Sequence, residues 1–178
     1  YWSEGQKYGV VRNSQFINNS VHAAEKADGG AILWDKCTHG LIDNCTFYGN
    51  FKMKDGVNVS GGWDAEFKAQ TDYATILDAQ ANGRVLHQPA DFTTLTVWSN
   101  FTIQNGDLKE KAADQLGSGV ALNKKGQVKH CLIQNNTFSY TSGNCMGGGV
   151  GNDATDKNTD VQVDNCIVRN NKATHGGG

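Results

Sequence analysis

GGAILWDKCTHGLIDNCTFYGN, residues 29–50, contains two strings that return along the chain. The second of them, LIDNCTFYGN (41–50), recurs as VVRNSQFINN (10–19), WSNFTIQNG (98–106), VKHCLIQNN (128–136) and VDNCIVRNN (163–171). Five copies of one short unit, tens of residues apart, predict a repeat protein.

Set in register, the copies sort their residues by direction. Val11, Ile42, Trp98, Val128 and Val163 share the first column, Ser14, Cys45, Phe101, Cys131 and Cys166 the fourth, and Phe16, Phe47, Ile103, Ile133 and Val168 the sixth. Asn13, Asn44, Asn100, His130 and Asn165 occupy the third. Alternation on either side of that column fits two short strands of period two, each with one face buried. It breaks at the Asn, which tolerates the left-handed backbone region better than most side-chain-bearing residues and so predicts a bend. The unit reads as strand, one-residue bend, strand, and then a turn opening at Asn19, Asn50, Gly106, Asn136 and Asn171.

The first string, GGAI (29–32), has its own successors in GSGV (117–120), GGGV (147–150) and the terminal GGG (176–178). Glycine pairs permit tight turns, and a third short strand is expected just after each. Three strands per repeat with no helical spacing between them describe one rung of a solenoid whose neighbouring rungs bury their inward columns on each other. The expected fold is all-β: a parallel β-solenoid of about six to seven rungs.

GGAI (29–32), FYGN (47–50) and FINN (16–19) resemble the paired GGA-[ILV] and F-x-x-N repeats of the chlamydial polymorphic membrane proteins, and those of other bacterial right-handed β-helix surface proteins. The resemblance implies a right-handed single-stranded parallel β-helix and a secreted or outer-membrane adhesin, often an autotransporter passenger, acting at the cell surface. One rung carries both motifs intact. IQNN (133–136) and VRNN (168–171) keep the Asn and lose the Phe, and GGGV (147–150) replaces the Ala.

Composition agrees with a solenoid. The 178 residues suit one domain, 1–178, but 22 Gly, a single Pro and 19% charged residues do not suit a helical enzyme. A net charge of −2 gives no electrostatic reason to expect nucleic acid. No run approaches the ~18 consecutive apolar residues of a membrane-spanning helix. The chain starts at Tyr1 and stops at a glycine triplet that elsewhere opens a strand, so a fragment of a longer chain is expected. Residues 51–96 are less regular and read as one or two rungs with longer loops. The stretch 64–73 is the expected excursion from the shaft, and with Tyr48 its Asp64, Phe67 and Tyr73 form a possible binding surface.

A parallel β-helix can be a polysaccharide lyase or hydrolase, and glycoside hydrolysis needs two carboxyls roughly 5–9.5 Å apart. The outward column before the bend reads Arg12, Asp43, Ser99, Lys129, Asp164, whose two acids are several rungs apart. It predicts exposed ion pairs between Arg12 and Asp43 and between Lys129 and Asp164, each worth under about 1 kcal/mol. The column after the bend, Gln15, Thr46, Thr102, Leu132, Ile167, holds no acid or base. Catalysis would therefore need loop acids such as Asp64, Glu66, Asp72 or Asp78. Asp153, Asp156, Asn158 and Asp160 offer part of a calcium loop, but Val161 stands where the sharp-turn Gly belongs and Ile167 where the closing Glu belongs. Cys37, His39 and Cys45 lack the C-x-x-C spacing of zinc sites. Cys37 and Cys145 are expected in turns, and His22, His39, His87 and His175 in or near polar turns. No cofactor is expected. The main reading is a non-catalytic adhesin or binding shaft, with a host-cell or glycan ligand and a place in a larger surface assembly. A carbohydrate-active β-helix enzyme and a passive spacer are the alternatives.

Overall fold

The computed structural model describes residues 8–17, 39–43, 45–64, 68–110, 116–140, 142, 145–152 and 160–177. All their regular structure is β. The chain lays it down in six successive passes, each made of strands too short to bury a face alone. The first pass holds β1 (Tyr8–Arg12) and β2 (Gln15–Phe16), and the second β3 (His39–Asp43), β4 (Thr46–Tyr48) and β5 (Phe51–Lys52). The third has β6 (Val59–Ser60), β7 (Thr75–Asp78) and β8 (Leu86–His87). The fourth runs through β9 (Thr96–Ser99), β10 (Phe101–Gln104), β11 (Asp107–Leu108) and β12 (Val120–Leu122). The fifth comprises β13 (Gly126–Lys129), β14 (Leu132–Gln134), β15 (Thr137–Phe138) and β16 (Val150–Asn152), and the sixth β17 (Gln162–Asp164) and β18 (Ile167–Arg169).

Every pairing between these strands is parallel and joins one pass to the next. Strands after the bend form a six-stranded sheet in the order β18-β14-β10-β7-β4-β2. Strands before it form β17-β13-β9-β6 and, separately, β1-β3, while the strands that follow the turns form β16-β12-β8-β5. Parallel pairing needs a long return connection, which the rest of each pass supplies. Equivalent letters of the repeat meet across the ladders: Phe16 with Phe47, Ile103 with Ile133, Ile133 with Val168, and Val128 with both Trp98 and Val163. The Phe16 and Phe47 rings stack with centroids 4.7 Å apart. Side chains of all three ladders, including Ile103, Val128, Leu86 and Val120, belong to one buried core. Val163 and Ile167 are exposed because β17 and β18 stand at the edges of their sheets.

The bend column has the backbone that its Asn content predicts. Asn13, Asn100, His130 and Asn165 have φ of 46°, 61°, 51° and 48°, and Asn44 lies outside the described residues. The third pass is one pass, not two, and it holds a sixth copy of the unit that the sequence hides. Val59 and Ser60 pair with Trp98 and Ser99, and Thr75–Asp78 pair with Phe101–Gln104. Residues 61–74 are therefore inserted at the bend itself, which splits the copy and removes its recognisable Asn.

One expectation is corrected. Lys129 and Asp164 lie in register but form no ion pair; the pair formed is Lys125 with Asp160, in the preceding turn. An exposed pair gains little, so side-chain entropy outweighs alignment. Arg12 and Asp43 are also in register, and their side chains lie outside what is described. Cys145 lies outside the strands and is fully buried, its thiol donating to the Tyr140 carbonyl at 3.1 Å. His39 opens β3 and His87 ends β8, each at a strand terminus. His22 and Cys37 lie outside the described residues.

Candidate functional site

The turns after the after-bend strands build both a spine inside the molecule and a groove outside it. The Asn that ends IQNN (133–136) and VRNN (168–171) points inward, whereas Asn50, which ends FYGN, is exposed and donates to the carbonyls of Asn82 and Arg84. Asn136, with no exposed surface, accepts the Gly106 N–H at 2.8 Å and donates to the Ile103 carbonyl at 3.2 Å and the Asn171 Oδ1 at 3.0 Å. Asn171 in turn accepts the Asn136 N–H and donates to the Ile133 carbonyl, at 3.0 and 3.1 Å. Each amide thus satisfies backbone groups that a buried turn would otherwise orphan. The preceding residue points the other way, with left-handed backbone at Asn105, Asn135 and Asn170, φ 58°, 57° and 55°.

Outside these turns lies an open groove of about 380 Å³ that crosses four passes. Tyr48 contributes from the second, Asp78 and Gln80 from the third, Asn105 and Asp107 from the fourth, and Asn135 and Thr137 from the fifth. Two carboxylates line it and no Lys or Arg does. Both carboxylates are engaged by the fold. Asp78 accepts the Gln80 N–H at 2.8 Å, the Gln104 Nε2 at 2.9 Å and the Asn105 Nδ2 at 2.8 Å. Asp107 accepts the Ser139 N–H at 3.0 Å and its hydroxyl at 2.9 Å.

From Asp78 a chain of side-chain hydrogen bonds runs over the outer face of the six-stranded sheet. Gln134 Nε2 donates to Gln104 Oε1 at 3.1 Å, and Arg169 donates to Gln134 Oε1 through Nε and Nη2 at 3.1 and 2.9 Å. A carboxylate can only accept and a guanidinium can only donate. The two ends therefore dictate which way both Gln amides face.

The thiols form a second polar feature. Cys131 and Cys166 occupy consecutive passes in the inward column, and the Cys131 N–H donates to Cys166 Sγ at 3.4 Å. Both are free thiols. The hydrogen bond from the Cys131 thiol, then the Cys131 N–H, lower the Cys166 pKa to about 7 against the opposing effect of burial. The same side-chain bond and burial push Cys131 upward.

The structure places the residues of the possible binding surface named from sequence as follows. Tyr48 lies in the groove at the far end of the after-bend strands, opposite Asp78. Asp64 instead closes the inserted loop, accepting the N–H groups of Lys68 and Ala69 at 2.9 and 3.1 Å. Tyr73, φ 61°, stands just before β7; its N–H donates to the Asn100 Oδ1 at 3.2 Å and its carbonyl accepts the Thr102 hydroxyl at 2.8 Å. Phe67 and Glu66 lie outside the described residues. Asp78 ends a strand rather than sitting in a loop. Of the calcium candidates, Asp160 is taken by Lys125, and Asp153, Asp156 and Asn158 lie outside the described residues. Among the described residues no three His, Cys, Asp or Glu side chains are grouped to hold a metal ion, and no helix is long and apolar enough to cross a membrane.

Sequence reasoning missed most of the groove. Asn105 and Asn135 carried a usable signal, since each precedes the inward residue of its turn. Asp107 and Thr137 lie beyond the aligned unit and carried none. Comparison with protein-family models, curated proteins and solved structures finds no match to this chain.

Proposed function

We propose that the chain is a right-handed parallel β-helix of a secreted or cell-surface protein and acts as a non-catalytic adhesin or binding shaft. Six passes paired in parallel, with three ladders contributing to one core, support the solenoid part of this reading. The observation that carries the binding part is the groove. It crosses four passes, and both its carboxylates are committed to holding the fold. A general acid or base must be free to exchange a proton with substrate, whereas these two acids shape and charge a surface. The resemblance of GGAI and F-x-x-N to bacterial surface repeats favours the same location and an assembly with other surface components.

One observation favours a carbohydrate-active enzyme as the second reading: two carboxylates, Asp78 and Asp107, line one groove from consecutive passes, and glycoside hydrolysis uses a pair of carboxyls. Incubating the purified chain with host cells and, separately, with polysaccharides distinguishes the readings. Saturable adherence without new reducing or unsaturated sugar ends is the expected result. Release of such ends would replace the first reading with the second, and absence of both adherence and cleavage would leave a spacer.

A further inference from the structure

We infer that the groove between Tyr48 and Thr137 is a binding site for an extended, uncharged glycan. The inference rests on the binding-shaft reading and names its ligand class. Charge is the first filter. Two Asp and no Lys or Arg line the groove, so sulfated, sialylated and uronate chains would meet repulsion with nothing to neutralise it.

Hydrogen-bonding capacity is the second filter. Among the described residues the hydroxyls of Tyr48 and Thr137 and the amide of Asn135 make no hydrogen bond within the protein. They face the groove as neutral groups able both to donate and to accept. A ligand rich in hydroxyls complements them without supplying charge. The Tyr48 ring adds an apolar surface against which the C–H face of a pyranose can lie, as ring faces do in recognition sites. An apolar peptide would leave the polar groups unpaired at a cost.

Shape is the third filter. Passes stack at the ~4.8 Å spacing of paired strands, so four of them present their groups over about 14 Å. That length suits a short stretch of a polysaccharide better than a single sugar. The fourth- and fifth-pass turns of the groove are tied from beneath by Asn136, which is fully buried and accepts the Gly106 N–H, so that part of the groove is preorganised.

Isothermal titration of the 178-residue chain with neutral hexasaccharides (gluco-, manno-, xylo- and N-acetylchito-oligomers), with an oligogalacturonate and with a lysine-rich peptide tests this. Saturable binding of at least one neutral oligomer and none of the uronate is expected, with Tyr48→Ala and Asn135→Gly each raising Kd at least tenfold. Asn135→Gly suits the left-handed backbone and preserves the turn, so an unchanged melting temperature separates loss of contact from loss of fold. Binding of the uronate or the peptide in preference to every neutral oligomer would overturn the assignment, and so would neutral-glycan binding that both substitutions leave intact. A chain that adheres to cells but binds no neutral oligomer overturns the glycan groove and leaves the adhesin reading standing. One that binds neutral oligomers through Tyr48 but no cell supports the groove and removes the adhesin reading.

Discussion

Gly119 lies against the amide of Asn136: a Cβ built on that glycine would stand 2.7 Å from the Asn136 Nδ2. Gly149 stands in the same relation to Asn171, also at 2.7 Å. The glycine string and the Asn that ends IQNN or VRNN are therefore two halves of one contact. The inward amide occupies the space that the missing side chain leaves, and from there it reaches the backbone of its own turn.

Gly119→Ala is expected to lower stability by about 1–3 kcal/mol, the usual cost of overpacking. Asn136→Ala removes the acceptor of the Gly106 N–H and is expected to cost about 1–3 kcal/mol for leaving that buried group unpaired. Urea titration of each variant checks both values. The pair should be only partly non-additive, since Asn136→Ala removes the amide beside the new methyl but leaves the Gly149 carbonyl 2.5 Å from it.

The bend makes a different demand. His130 is exposed and has φ 51°, so His130→Asn should leave stability within about 0.5 kcal/mol. His130→Val should cost about 1–2 kcal/mol, because a β-branched side chain opposes left-handed backbone. Equal thermal midpoints for the two variants would show that backbone strain is not what selects the residue.

Cys166 is expected to be the most readily alkylated of the described thiols, with a rate that rises through pH 7. Its folded-state value lies below its ordinary 9.0. Its contribution to stability is therefore present above pH 9 and is lost as pH falls through about 7. Cys131→Ala removes the donating thiol and should move the alkylation midpoint upward. Mass-spectrometric footprinting across pH reads both, and faster modification of Cys131 than of Cys166 would contradict the arrangement.

Asp78→Asn should cost about 1–3 kcal/mol although the shapes match. Gln104 and Asn105 both donate to Oδ2 and the Gln80 N–H donates to Oδ1, so the single amide oxygen of the variant serves one side and leaves either the Gln80 N–H or both side-chain amides facing an NH2 group. Chemical denaturation measures the loss.

The repeat could be read from sequence because its causes are local. Period-two alternation sets which side chains face inward, and Asn at one position permits the left-handed bend, so the columns around Asn13, Asn100, His130 and Asn165 are written in neighbouring letters. The copy in residues 59–78 was not legible. Residues 61–74 interrupt it at the bend, and only pairing with the second and fourth passes restores the register of Thr75, Leu77 and Asp78.

The groove belongs to the tertiary structure for the same reason. Tyr48, Asp78, Asp107 and Thr137 are far apart in the chain and meet because parallel pairing stacks their passes. Whether an Asp is a free acid or an occupied acceptor, as with Asp78, depends on donors from another pass. Sequence alone determined the direction of each side chain within its own pass, since that follows from backbone geometry over a few residues. Which pass lies beside it was decided only in three dimensions, because hydrogen bonding between distant segments sets the neighbour.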